Sequence, residues 1–248
     1  MPAGGLSSGG FRPEKHAIAM AVQDDSREQE LCNLFNLEWD PEHARGGEDA
    51  WFEAKVKGRV VRVPVEVKST TTDTVSTARD VGMGHIRKWR EKIWVIGYYA
   101  RSSGNKPRLV SSLCLSPTDM EPWIAQLENY IRPDFELGQR LAHKLTMEDV
   151  HSICGKKSSY SLADALRLYK KQWTAAEYRE AMDREDGYSP ERMLRILHQR
   201  AEYLMSRGAT LNNPHIPKGF LNRFKDQTIT KEHAARIREK FRSIGHRP

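Results

Sequence analysis

Residues 61–72, VRVPVEVKSTTT, have the alternation of a β-strand. Because side chains alternate between the two faces of a strand, every second residue shares a face. One face consists of Val61, Val63, Val65 and Val67, and the other of Arg62, Pro64, Glu66 and Lys68. The valine face requires a hydrophobic core, whereas the other face places a carboxylate beside an ammonium group. Pro64 donates no ladder hydrogen bond, so the strand starts, bulges or lies at an edge there.

The sequence on either side of this strand predicts a mixed α/β core of about 110 residues. The expected elements are a helix over 24–37, a hairpin of strands 50–56 and 59–69 that turns at Lys57-Gly58, a helix within 77–92, strands over 93–100 and 108–116, and a helix over 120–131 that ends at Pro133. Beyond residue 135 strand signals nearly vanish. Amphipathic helices are expected over 162–182, 189–208 and 230–244, with a loop over 210–224.

Charge is distributed unevenly along the 248 residues. Residues 1–136 contain 18 Lys and Arg against 20 Asp and Glu, a net charge of −2, whereas residues 137–248 contain 22 against 13, a net charge of +9, which together give +7. A basic region favours a polyanionic partner, and nucleic acid is the commonest one. Basic helices also occur simply as solvated faces, and that alternative stays open.

The N-terminal segment and the cysteines indicate the compartment. Residues 1–23 lack the apolar core of a signal peptide and are typical of a flexible leader, and no apolar run approaches the length of a membrane span. Cys32, Cys114 and Cys154 are widely spaced, which favours buried thiols over disulfides, zinc or an iron–sulfur cluster. A cytoplasmic protein without membrane association is therefore expected.

The loop RGGED, residues 45–49, precedes the first strand of the hairpin. With the turn at Lys57-Gly58, Asp49 lies opposite Glu66. Two facing carboxylates repel each other unless a cation separates them, and two carboxylates completed by water and phosphate oxygens suit Mg²⁺. Lys68 would then hold a phosphate oxygen or polarise an attacking water, as in a metal-dependent phosphodiesterase. The alternative is a salt bridge between Glu66 and Lys68 on a solvated sheet face.

The spacing D-x16-E-V-K, Asp49 to Glu66-Val67-Lys68, resembles the signature of the PD-(D/E)XK nuclease superfamily, over residues 24–132. The resemblance implies a restriction-endonuclease-like fold, a mixed β-sheet core flanked by helices, here with a helical C-terminal region. It implies Mg²⁺-dependent DNA hydrolysis with Asp49 and Glu66 as metal ligands and Lys68 as partner of the attacking water. Members often add an acid on the first helix. Glu28 and Glu30 are candidates, and we favour Glu28 because it shares a helical face with apolar residues. Glu48 remains an alternative to Asp49.

Among the branches of this superfamily the chain most resembles a type II restriction endonuclease. It lacks the Gln-x-x-x-Tyr helix of RecB-like exonucleases and the four cysteines of iron–sulfur members. A nuclease core over 24–134, a basic DNA-binding region over 135–248, double-stranded DNA as partner and a homodimer with two active sites are expected. Two alternatives stay open: a structure-selective repair or junction nuclease, and a DNA-binding protein with an inactive core.

Several polar residues outside the motif are candidate DNA contacts. Ser69 and Thr70 follow the lysine and have hydroxyls suited to phosphate oxygens. His85 and Lys88 lie on the expected helix HIRKWR, whose Trp89 we assign to the core. Asn212, Asn213 and Lys218 lie in a loop whose side-chain types are suited to reading base edges. An ordinary polar loop explains either loop segment equally well.

Overall fold

A computed structural model of the protein describes residues 26–39, 47–100 and 107–244, so the expected leader over 1–23 lies outside the described residues. Within these ranges the chain is mixed α/β and forms two compact units. The sheet unit comprises the described residues up to Thr77, Trp89–Glu121 and the residues from His215 onward, and the helical unit comprises Ala78–Lys88 and Pro122–Pro214. The contacts therefore group residues 215–244 with the sheet, whereas the sequence suggested one helical region over 135–248.

The sheet unit contains helix α1, residues 26–35, followed by a four-stranded sheet. The strands are β1 (Ala50–Val56), β2 (Arg59–Thr70), β3 (Ile93–Ala100) and β4 (Arg108–Leu115), side by side in chain order. The pairs β1–β2 and β3–β4 are antiparallel, whereas β2 and β3 are parallel. A parallel pair requires a crossover, and the segment from β2 to β3 contains helix α2 (Met83–Trp89), shorter than the range that the sequence allowed.

The hairpin of β1 and β2 is confirmed, including its turn. Lys57 and Gly58 both have positive φ, 49° and 78°, which is the combination found in a type I′ turn. Pairing then runs without interruption from Val56–Arg59 to Ala50–Val65. Because a tight turn fixes the register, it also places Asp49, the residue before β1, opposite Glu66.

The valine face of β2 packs into the main core of the sheet unit. Val63, Val65 and Val67 are buried in one cluster with residues of α1 and of the last helix, α9 (His233–Ser243). On β3, a Cβ at Gly97 would lie 2.8 Å from both δ carbons of Leu31. Glycine at this position therefore lets α1 lie directly against the sheet. The three cysteines are buried free thiols, as expected.

The prediction that the helix over 120–131 ends at Pro133 is wrong. The helix α3 (Pro117–Ala142) continues through Pro133. A proline inside a helix removes the hydrogen bond to the carbonyl four residues earlier, here that of Asn129. Both Pro133 and Asn129 are exposed, so water can take the place of the hydrogen bond that this carbonyl loses.

The predicted helix over 162–182 is also wrong, because it is two helices. The helical unit contains α4 (Met147–Cys154), α5 (Leu162–Tyr169), α6 (Ala175–Glu180) and α7 (Pro190–Gly208). Lys170 and Lys171 adopt left-handed φ values of 56° and 58°, which ends α5. Thr174 and Glu177 then form a capping box that starts α6. The helix predicted over 189–208 is confirmed, since α7 begins after the N-cap Ser189 and ends at Gly208.

The loop expected over 210–224 contains the short helix α8 (Lys218–Leu221) and the start of a 3₁₀ segment (Asn222–Gln227). It also pairs with the segment after β2 through isolated bridges. None of the helices in the described ranges has the length and apolar character needed to cross a membrane.

Candidate active site

The sheet has a gap, here called the notch, beside residues 66–70 of β2, because β1 begins only opposite Val65. Ala50, the first residue of β1, pairs with Val65, but β2 continues to Thr70. The N–H of Val67 would lack a partner on this side, and Asp49 supplies one, because its Oδ2 accepts this N–H at 3.1 Å. The carboxylate of Asp49 thus continues the ladder, which orients it rigidly beside β2.

The structure brings Asp49, Glu66 and Lys68 together in this notch. The Nζ of Lys68 lies 2.7 Å from Asp49 Oδ2 and 3.0 Å from Glu66 Oε1. The same Nζ donates to the carbonyl of Val67 at 3.0 Å. Since one ammonium contacts both carboxylates, their facing oxygens are less than about 6 Å apart, a separation that a cation with ligands near 2.1 Å spans after small adjustments.

Sequence reasoning missed Lys92, which completes the cluster. The Nζ of Lys92 lies 2.6 Å from Glu66 Oε2 and 2.6 Å from Glu48 Oε2, and only 4% of this side chain is exposed. Lys92 immediately precedes β3, whose first residue pairs with Val65 in parallel register. The sequence signal is a lysine directly before a buried strand. Lys92 is the last residue of the range 77–92 in which the preceding helix is expected.

Glu48 and Asp49, the two candidates for the first metal ligand, contact different residues. Asp49 contacts Lys68 and the backbone of β2, whereas Glu48 contacts Lys92. On α1 the two candidates also differ. Glu28 is close enough to raise the pKa of Lys68, while Glu30 contributes to the raised pKa of Tyr99. The favoured candidates, Asp49 and Glu28, are therefore the ones near the predicted lysine.

The pKa shifts follow from burial and from the alternation of charge. Burial alone would raise the pKa of Glu66, but the ammonium groups of Lys68 and Lys92 lower it to about 2. Burial would lower the pKa of Lys68, but Glu66, Asp49 and Glu28 raise it well above its ordinary value. The pKa of Lys92 is raised too, against the effect of burial, by Glu66 and Glu48. Glu66, Lys68 and Lys92 are therefore charged at neutral pH.

The cluster fits a divalent cation by charge and by donor type. The carboxylates of Glu48, Asp49 and Glu66 contact the ammonium groups of Lys68 and Lys92, and once Lys68 moves away, three carboxylates and one ammonium leave a net charge of −2. Among the described residues no group of three or more His, Cys, Asp or Glu is arranged to hold a metal ion. Mg²⁺, however, commonly uses one or two carboxylates with water and phosphate. The ammonium of Lys68 occupies the position between Asp49 and Glu66 that such a cation would take.

The hydroxyls that follow the lysine differ from each other in placement. Thr70 shares the face of Glu66 and Lys68, but its Oγ1 donates to the carbonyl of Thr74 at 2.7 Å and shapes the following turn. Ser69 lies on the valine face by alternation, and its Oγ is buried without a hydrogen-bond partner. The structure therefore does not bring Ser69 to the acidic cluster.

The remaining candidate DNA contacts fall in both units. Lys218 belongs to the sheet unit, is exposed and contacts Asp73 at 2.9 Å. The others belong to the helical unit, namely His85, Lys88, Asn212 and Asn213. Lys88 and Asn212 are exposed, whereas Asn213 has a φ of 53° and donates its N–H to Ala78, so it shapes its loop. Trp89 is buried, as we expected.

Comparison of the chain with protein-family models, with curated proteins and with solved structures finds no match.

Proposed function

We propose that the protein is a Mg²⁺-dependent endodeoxyribonuclease that hydrolyses phosphodiester bonds of duplex DNA, in the manner of the PD-(D/E)XK type II restriction enzymes that it resembles. One observation carries this proposal. The carboxylates of Asp49 and Glu66, seventeen positions apart in the chain, share the single ammonium of Lys68 at the end of a sheet. A salt bridge alone needs one carboxylate, so the second carboxylate favours a site built for a larger positive charge.

The arrangement of the strands supports the same proposal. The acid stands directly before β1, and the E-x-K triplet lies on the antiparallel partner β2. A helix-containing crossover leads to the parallel strand β3. An isolated bridge from Glu38 to Trp51 adds a pairing on the other side of β1. This order of helix, hairpin and parallel strand is similar to the order that the resemblance implies, and it supports the proposal.

In the proposed mechanism Asp49 and Glu66 hold Mg²⁺, with Glu28 near enough to assist. The ion would neutralise charge on the phosphate and lower the pKa of a coordinated water. Lys68, released from the carboxylates, donates hydrogen bonds to the attacking water and to a phosphate oxygen as negative charge develops there. The water oxygen would form a bond to phosphorus and release its proton to solvent, while the bond from phosphorus to the departing deoxyribose oxygen breaks and that oxygen takes up a proton from solvent.

Binding of DNA is proposed to use the excess positive charge of residues 137–248 together with the polar residues named above. Exposed Lys88 and Asn212 are the strongest of these candidates, because both side chains are accessible to solvent. A homodimer is proposed because cleavage of both strands at a symmetric site requires two copies of the active site.

The function is tested by incubating the protein with plasmid DNA and Mg²⁺. We expect discrete fragments with uniform ends, and no cleavage when EDTA removes the metal. Sequencing of the fragment ends gives the recognition site. A smear, or cleavage confined to branched DNA, would favour a structure-selective nuclease over a restriction enzyme.

A second candidate function is DNA binding without catalysis, and one observation favours it. Both oxygens of Glu66 already contact a lysine, so the cluster is satisfied without a metal. Retention of plasmid in a gel-shift experiment without any Mg²⁺-dependent cleavage would support this candidate and contradict the nuclease.

A further inference from the structure

The acidic cluster contains two similar cation positions, one on each oxygen of Glu66. The first lies between Glu66 Oε1 and Asp49 Oδ2 and holds the ammonium of Lys68. The second lies between Glu66 Oε2 and Glu48 Oε2 and holds the ammonium of Lys92. The consecutive residues Glu48 and Asp49 thus each complete one position, with Glu66 shared between them.

The two lysines differ in how easily they could be replaced. The side chain of Lys68 is 14% exposed and its partner Asp49 is 24% exposed, which makes this the more open of the two positions. The side chain of Lys92 is only 4% exposed, and its Nζ approaches both carboxylates at 2.6 Å. Removing a buried ammonium from two carboxylates costs several kcal/mol, and the first position is therefore the one where exchange is easier.

We propose that Lys92 serves as a permanent second cation, so that the site binds one divalent ion, between Asp49 and Glu66, and never two. This inference rests on the proposed function, because it assigns the metal stoichiometry of the same site. Two-metal hydrolases place their ions about 3.5–4 Å apart around shared carboxylates. Here the carboxylate that would be shared, Glu66, carries a metal position on one oxygen and a lysine on the other.

Lys92 is accordingly a positioning residue. By holding Glu66 Oε2, it leaves Oε1 directed at Asp49 when Lys68 moves away. It also reduces the negative charge of the cluster to the value that one divalent ion neutralises. Glu48 acts through Lys92, since it supplies the second contact that fixes the ammonium.

The proposal is tested by titrating Mn²⁺ into the full chain, without DNA, and counting bound ions by electron paramagnetic resonance. We expect about one Mn²⁺ per wild-type chain. The variant Lys92→Met opens the second position, and we expect about two ions per chain. Lys92→Arg retains the cation and should bind one. Lys231→Met removes an exposed lysine elsewhere in the sheet unit and should also bind one.

Lys92→Gln, whose amide can still donate hydrogen bonds to Glu66 and Glu48, covers the case in which Lys92→Met does not fold. It removes the cation and keeps both acids, so about two ions per chain are expected. Two ions on the wild-type chain would overturn this inference and leave the nuclease proposal standing. One ion on both wild type and Lys92→Met would show that Lys92 fills no metal position. Absence of Mn²⁺ binding to wild type would overturn the inference and the proposed metal dependence together.

Discussion

Replacement of Lys68 by alanine is expected to lower the rate of DNA cleavage by about 10²–10³-fold while DNA affinity changes little. Lys68 contacts both Asp49 and Glu66 directly, and in the proposed mechanism it stabilises the charge that develops on the phosphate. The grip on DNA comes from other residues. Single-turnover cleavage of a labelled duplex gives the rate, and fluorescence anisotropy of the same duplex gives the affinity.

The matched control is Lys55→Ala, which removes the same charge from an exposed position of the sheet unit outside the proposed DNA-binding residues. Its cleavage rate should equal that of the wild type. If Lys68→Ala cleaves at the wild-type rate, the assignment of Lys68 to the reaction is wrong, and the contact with Asp49 and Glu66 is only a salt bridge. If affinity and rate fall together, Lys68 acts in DNA binding.

Replacement of Lys92 by methionine is expected to lower the free energy of unfolding by about 3–5 kcal/mol at pH 7. Methionine fills similar space but leaves Glu66 and Glu48 without their shared ammonium. A buried carboxylate that loses one of its two cations keeps part of its desolvation cost uncompensated. This cost destabilises the folded state, because in the unfolded chain the carboxylate is hydrated. Urea denaturation followed by circular dichroism measures the change.

The pH dependence of this loss has a definite sign. The folded-state pKa of Glu66, about 2, lies below the ordinary value of 4.5, so its ionisation stabilises the fold above pH 4.5. This contribution disappears as pH falls towards 2. The difference between wild type and Lys92→Met should therefore narrow over that interval. A difference that is the same at pH 7 and at pH 3 would contradict the electrostatic origin and point to packing alone.

The sequence predicted the half of the site that depends on local geometry. A two-residue turn at Lys57-Gly58 fixes the register of the hairpin, and the register places Asp49 opposite Glu66. The alternation of β2 then decides which face carries Lys68. Each of these steps involves residues close together in the chain, where spacing translates directly into position.

The other half depends on packing between distant segments, which no local pattern encodes. Lys92 reaches Glu66 because β3 lies parallel to β2 in one particular register. The same limitation explains the errors in the helices. Pro133 is tolerated because it is exposed, and two adjacent lysines, Lys170 and Lys171, take left-handed conformations that their residue type does not favour.

The position between Asp49 and Glu66, held here by the ammonium of Lys68, is on our proposal a divalent-cation site. Crystals grown with Mn²⁺ test this most directly through anomalous diffraction. We predict one anomalous peak within about 2.0–2.3 Å of a carboxylate oxygen of each residue, with the Lys68 side chain displaced towards solvent. A map with no peak there, and with Lys68 still in contact with both carboxylates at saturating Mn²⁺, would contradict the proposal.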